Sequence, residues 1–294
     1  TLALNITTVV VVWSGGNMIV AGNMQVGDLT AFTNYIVQIM SSLTMLSIAF
    51  LNWARAIASF RRVGEVLDEK IDLTDENAKH KDRAVCEGSV EFQNVSFRYY
   101  KNSPEWVIEN ISFKLEAGKT LGIIGSTGSG KSTLVSMIPR LYDTDEGTVL
   151  VDGINVRDYG LKPLREGIGM VLQNNTLFSG SIIENLKWGD EHADEKAVRK
   201  AAQNAQAAGF IDSFKDGYRT RLEQSGNNVS GGQKQRLCIA RALLKCPKIL
   251  ILDDSTSAVD TATERAIREA LHSEYKDMTK IIIAQRKDGR LWHT

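Results

Sequence analysis

Apolar and uncharged polar residues fill the first 54 positions with one charge among them, whereas the remainder alternates short apolar runs with dense charge. Residues 1–22 (TLALNITTVVVVWSGGNMIVAG) and 29–54 (LTAFTNYIVQIMSSLTMLSIAFLNWA) contain no charged side chain. Each is about long enough to cross the roughly 30 Å hydrocarbon layer of a bilayer as a helix. The short link NMQVGD between them predicts an antiparallel hairpin. Asn34, Gln38, Ser41, Ser42 and Thr44 lie inside the second span and are expected to face neighbouring helices. Trp13, Tyr35 and Trp53 suit an interfacial aromatic belt or helix packing equally well. Residues 55–87 open with helical apolar spacing (Ile57, Phe60, Val63, Val66, Leu67), which predicts that the second span continues beyond the membrane. They then loosen into a linker near DENAKHKDRA, whose charges read as a solvated surface.

From Gly88 the pattern changes. VEFQNVSF (90–97) and NISFKLE (110–116) show the partial alternation and β-branched or aromatic content of strands. LGIIG (121–125), IGMVL (168–172), the ILIL of KILILDD (248–254) and KIIIA (280–284) are short apolar runs of the kind buried parallel strands show. KQRLCIARALLK, after Ser230, is a strong helix former with a good N-cap in front of it. The expected organisation is therefore an all-α transmembrane hairpin (1–54), a helical extension and linker (55–87), and an α/β phosphate-loop domain (88–294).

Composition and charge sharpen this division. The chain has 294 residues, a length that suits roughly two domains. Its 35 basic and 35 acidic residues give a net charge of zero, which excludes a strongly basic nucleic-acid binder. The average conceals two solvents, because Asp28 is the only one of those 70 charges within residues 1–54. Arg55, Arg61 and Arg62 follow the second span while the 23–28 link has no basic residue, which places everything from Arg55 onward in the cytoplasm. A signal peptide is disfavoured for residues 1–22, since there is no basic leading region and the chain opens in mid-pattern without Met. Cys86, Cys238 and Cys246 are odd in number, widely spaced and lack a CxxC pair, so three free thiols are expected.

The chemistry begins at GSTGSGKST, residues 125–133, which fits the pattern G-x-x-x-x-G-K-[ST]. Gly125, Ser126, Thr127, Gly128, Ser129 and Gly130 form a loop whose backbone N–H groups turn inward around phosphates. Lys131 supplies a point charge to the β- and γ-phosphates, Ser132 offers a hydroxyl to Mg²⁺, and Thr133 continues into a helix whose N-terminal end favours anions. A preceding strand and a following helix are the context this pattern needs. Asp253 closes the apolar run 249–252, and the carboxyl edge of a parallel sheet is where ligands bind. There it is expected to hold Mg²⁺ directly or through water.

Between these two elements lies VSGGQKQR, residues 229–236. With the phosphate loop before it and the acidic strand after it, the chain resembles the C-terminal part of an ATP-binding cassette (ABC) exporter through about Arg286. The resemblance implies ATP and Mg²⁺ as cofactors. It implies that Tyr99 stacks on adenine and that Gln173, after IGMVL, links Mg²⁺ to the membrane domain. SAVD (257–260) resembles the D-loop, bringing Asp260 to the nucleotide interface. Ser230, Gly231, Gly232 and Gln233 resemble the signature that meets the γ-phosphate held by a second cassette, so that two cassettes sandwich two ATP molecules. Lys131, Gln173, Asp254 and Gln285 are the expected catalytic positions.

Three positions depart from the family pattern. Asp254 stands where the family usually has the glutamate that polarises the attacking water, and Gln285 where it has the switch histidine. Residues 224–226 read QSG in place of ERG. Together the first two resemble the degenerate-site subunit of a heterodimeric exporter, holding ATP at a weakly hydrolytic site while its signature completes the partner's. The expected partners are a second half-transporter, the lipid bilayer of the cell membrane and an unread transported substrate. Three alternatives stand beside this. One is a non-hydrolytic regulatory subunit. A soluble ATPase of the chromosome-maintenance kind would carry long heptad insertions, and none is visible. An import-type cassette usually sits on a chain separate from its membrane subunit. The missing front helices and the ending KDGRLWHT read as a fragment of a longer exporter.

Overall fold

The computed structural model describes residues 2–253 and 259–285. The chain divides by its contacts into two units, Thr1–Asp72 and Leu73–Thr294.

The first unit is a helical pair, α1 (Leu2–Val20) and α2 (Val26–Leu67). The buried Gly15 of α1 lies directly against Leu29 of α2, where any β-carbon would collide with the leucine methyls. Asp28, isolated in charge, sits in the first turn of α2 and its carboxylate accepts the Gln25 N–H at 3.2 Å. An anion there meets the positive end of the helix dipole, so the one charge of residues 1–54 is placed where it costs least. At 42 residues α2 is about 63 Å long. Among the described residues it is the one helix long and apolar enough to cross a membrane by length and composition, and it buries no residue. The polar residues of α2 do not all need a neighbouring helix. The hydroxyls of Thr30, Thr33, Ser42, Thr44 and Ser47 each donate to the carbonyl four residues earlier, at 2.9–3.0 Å.

The second unit carries two four-stranded sheets. The antiparallel one has the order β2-β1-β4-β5, with β1 Val90–Phe97, β2 Ile108–Leu115, β4 Glu146–Val151 and β5 Ile154–Asn155. The other, parallel, has the order β3-β10-β9-β6, with β3 Thr120–Gly125, β6 Ile168–Val171, β9 Ile249–Asp253 and β10 Thr279–Gln285. A small pair, β7 (Gly180–Ser181) and β8 (Arg221–Leu222), completes the strands among the described residues. The helices are α3 Lys131–Ser136, α4 Leu161–Glu166, α5 Ile182–Lys187, α6 Glu195–Asn204, α7 Ala208–Ser213, α8 Gly231–Leu244 and α9 Thr261–Ser273.

Strand β9 explains the layering. Every residue of ILILD is buried, and successive side chains point to opposite faces. Ile249 and Ile251 enter a core shared with Phe92 and Val149 of the antiparallel sheet and Val135 of α3. Leu250 and Leu252 enter a second core with Leu237 and Leu243 of α8 and Val198 of α6. An uninterrupted apolar run is what a strand covered on both faces requires. The alternation of β1 breaks at a bulge between Phe92 and Val95, where Asn94 takes a positive φ of 51°.

Residues 73–87, expected to be linker, lie within this second unit. Asp75 accepts the Leu161 N–H at the start of α4 (2.9 Å), His80 bridges to Tyr159, and Val85 is buried. The Asp152 carboxylate accepts four successive backbone N–H groups, from Cys86, Glu87, Gly88 and Ser89, at 2.7–3.1 Å. The three cysteines are free thiols, as expected.

Candidate functional site

Parallel strand register assembles the site. β3 ends at Gly125, where the phosphate loop begins, and Gln285 on β10 pairs directly with Gly125. On the other side of β10, Ile283 pairs with Asp253. β6 pairs with β9 up to Val171–Leu252 and then leads into Gln173, which is exposed. Four positions far apart in sequence (Gly125, Gln173, Asp253 and Gln285) thus lie along one carboxyl edge, on strands about 4.8 Å apart. By the alternation of β9, Asp253 follows Ile249 and Ile251 toward the face on which α3 packs. It is 4% exposed, at the buried root of this edge. Asp254 and residues 257–258 of SAVD lie outside the described residues.

The phosphate loop has the shape its glycines demand. Gly130 sits at φ 79°, and a β-carbon there would lie 2.7 Å from the carbonyl oxygen of Val107. Only glycine lets the loop turn this tightly into α3. Lys131 folds its amine back over the loop, donating to the carbonyls of Gly125 (3.0 Å) and Ser126 (2.7 Å) and to Ser129 Oγ (3.3 Å). A cation is therefore held at the centre of the ring of backbone groups. Ser132 is exposed in the first turn of α3. Oxygen donors from a hydroxyl (Ser132), a carboxylate (Asp253) and an amide (Gln173) suit Mg²⁺, a hard cation that binds few protein ligands and keeps several waters. The glycine cradle and the lysine fit a polyphosphate.

Tyr99, at the end of the segment after β1, is half-exposed, and its hydroxyl is 2.8 Å from Thr133 Oγ1. Its ring stands perpendicular to Phe97 and Tyr142. Neither the tie to Thr133 nor the neighbour Tyr142 is visible in the sequence, because both join residues separated by more than thirty positions.

The signature residues stand on a separate element. Ser230 caps α8, its Oγ accepting the Gln233 N–H at 3.3 Å while Gln233 Oε1 accepts the Ser230 N–H at 2.9 Å. This reciprocal arrangement leaves the N–H groups of Gly231 and Gly232 without an acceptor inside the helix, at its positive end. Gly231 is exposed. Gln233 is thus already engaged in capping. Asp260 likewise caps α9, accepting from Thr263 N–H (3.0 Å) and Thr263 Oγ1 (2.7 Å). These bonds hold its carboxyl below the usual carboxylate range. Arg241 of α8 donates to the carbonyls of Thr176 (3.1 Å) and Asn185 (2.9 Å), tying the segment after Gln173 to the signature helix.

Residues 108–257 match the ABC transporter family. An uncharacterized ABC transporter ATP-binding protein of Bacillus subtilis, YfiB, is 43% identical over 97% of this chain and 49% of its own length. ABC transporter B family member 4 of Dictyostelium discoideum is 37% identical over 97% of this chain and 37% of its own length. A solved structure of a bacterial Atm1-family ABC exporter with ATP bound superposes with a TM-score of 0.73 and 34% identity, covering 89% of this chain and 46% of that one. The chain spans half or less of the length of these relatives. A matching family domain, relatives aligned along almost the whole chain and an exporter of the same fold lead to one conclusion: this chain belongs to the ABC transporter family.

Proposed function

We propose that the chain is the nucleotide-binding half of an exporter that works with a second, non-identical half-transporter, and that its own phosphate loop holds ATP at a slowly hydrolysing site. The observation that carries this is Gln285, paired on β10 with Gly125 of the phosphate loop. The family pattern has its switch histidine at this place, a side chain that titrates near neutrality, and glutamine does not. Asp254 adds to it, with one methylene fewer than the usual glutamate. A misplacement of about 1 Å at a reacting centre costs on the order of 100-fold in rate.

In this reading Tyr99 stacks on the base, the loop 125–130 and Lys131 hold the phosphates, and Ser132, Asp253 and Gln173 hold Mg²⁺. Mg²⁺ held by these residues would supply positive charge against the phosphates. Ser230, Gly231 and Gly232 present backbone donors to the γ-phosphate bound by the partner, with Asp260 at the same interface. Closure of the two cassettes passes to the membrane helices and switches access across the cell membrane. The cassette faces the cytoplasm, the helices face lipid, and no nucleic acid takes part.

The test uses the full-length complex with its partner half. Steady-state ATP turnover is expected to collapse with Ser230→Arg and to rise with Asp254→Glu. Turnover that survives Ser230→Arg rejects the asymmetric assignment.

A further inference from the structure

We infer that Thr133 and Tyr142 are positioning residues that fix the ring of Tyr99 before nucleotide arrives, and so set the spacing between the base platform and the phosphate cradle. This rests on the proposal that Tyr99 stacks on the base.

A half-exposed tyrosine outside regular structure ordinarily samples several rotamers, and ordering it on binding costs affinity. Tyr99 has no such freedom. Its hydroxyl is 2.8 Å from Thr133 Oγ1, and Thr133 is only 7% exposed within α3. Its ring meets Phe97 at 5.1 Å and 83° and Tyr142 at 5.3 Å and 85°, both edge-to-face geometries that aromatic pairs favour. Phe97 is 6% exposed at the end of β1, so it is an immobile support. Tyr142 in turn packs on Phe97 at 5.5 Å. The turn carrying it is braced by Arg140, whose Nε donates to Asp143 Oδ1 at 2.8 Å. One end of the Tyr99 side chain is thus held by the aromatic pair and the other by the threonine.

Thr133 lies two residues beyond Lys131, whose amine occupies the phosphate loop. The base platform and the phosphate cradle are therefore joined by a single hydrogen bond to one short helix. The chemical class this spacing selects is a nucleoside triphosphate over a base-free polyphosphate. It does not select one base over another, because stacking is tolerant of base identity.

The test measures displacement of a ribose-labelled fluorescent ATP analogue from the full 294-residue chain in detergent, by ATP, GTP and inorganic tripolyphosphate. Tyr99→Phe, which keeps the ring, and Thr133→Val, which keeps the shape, are each expected to weaken ATP and GTP about three- to tenfold, the range of one lost hydrogen bond. In Tyr99→Phe tripolyphosphate affinity should stay within about twofold. The double variant should be no weaker than either single one, and Thr133→Ser should bind as the parent does. Tyr142→Leu should weaken ATP selectively, and Tyr142→Phe should not. Full ATP affinity in Tyr99→Phe, or tripolyphosphate affinity falling in step with ATP in the same variant, overturns the inference. Tyr99→Ala separates the two levels. If it weakens ATP while Tyr99→Phe does not, stacking stands and positioning fails. If it leaves ATP binding unchanged, both fail.

Discussion

At the scale of single residues, several side chains assigned to ligand binding also hold the fold. Ser230 caps α8, so Ser230→Ala is expected to lower stability by about 1 kcal/mol, read by denaturant unfolding, in addition to any loss of turnover. Asp260 caps α9 with a carboxyl held down by the Thr263 N–H and hydroxyl. Because its folded pKa is depressed, its contribution is complete above the unfolded value of about 4 and is lost as pH falls through the lower folded value. Amide exchange at Thr263 should therefore be slower in the parent than in Asp260→Ala at pH 5–7. That difference should vanish at the acid end of the titration, and a difference independent of pH contradicts the assignment.

At the scale of elements, the decisive object is the turn from β3 into α3. Gly130→Ala forces an L side chain into a left-handed conformation and against the Val107 carbonyl. The expected cost is about 1–3 kcal/mol, with loss of ATP binding, measured by unfolding and by nucleotide titration. A fully stable, ATP-binding alanine variant contradicts this account of the loop. This turn was legible in the sequence because its chemistry is local: strand, glycines, lysine and helix follow within about fifteen positions. The same holds for Ser230 before α8 and for Asp253 at the end of β9, where the apolar run ILIL announced a strand buried on both faces. What escaped was non-local. The tie from Tyr99 to Thr133, the packing of Tyr142 and the place of residues 73–87 on the second unit each depend on contacts that no periodicity encodes. The hydroxyls of Ser42 and Thr44 read in sequence as able to face neighbouring helices. Each also satisfies itself on its own backbone, an option a hydroxyl has and a long amide side chain lacks.

At the scale of the whole molecule, the chain is two units whose boundary follows Asp72. The second unit has its own cores, so a chain of residues 73–294 is expected to fold without the helices and to bind ATP. A chain of residues 88–294 lacks Val85, the Asp75 cap and two of the four N–H groups on Asp152. It should be less stable by about 2–4 kcal/mol in denaturant unfolding. Equal stability of the two chains would show that residues 73–87 contribute nothing.

The carboxylate of Asp152 has a mechanical consequence. Its four bonds run to four consecutive residues, so tension arriving along the chain from the N-terminal side reaches this anchor before it reaches β1. Asp152 thus fastens the chain to the end of β4 just ahead of the first strand, after the ties at Asp75 and His80.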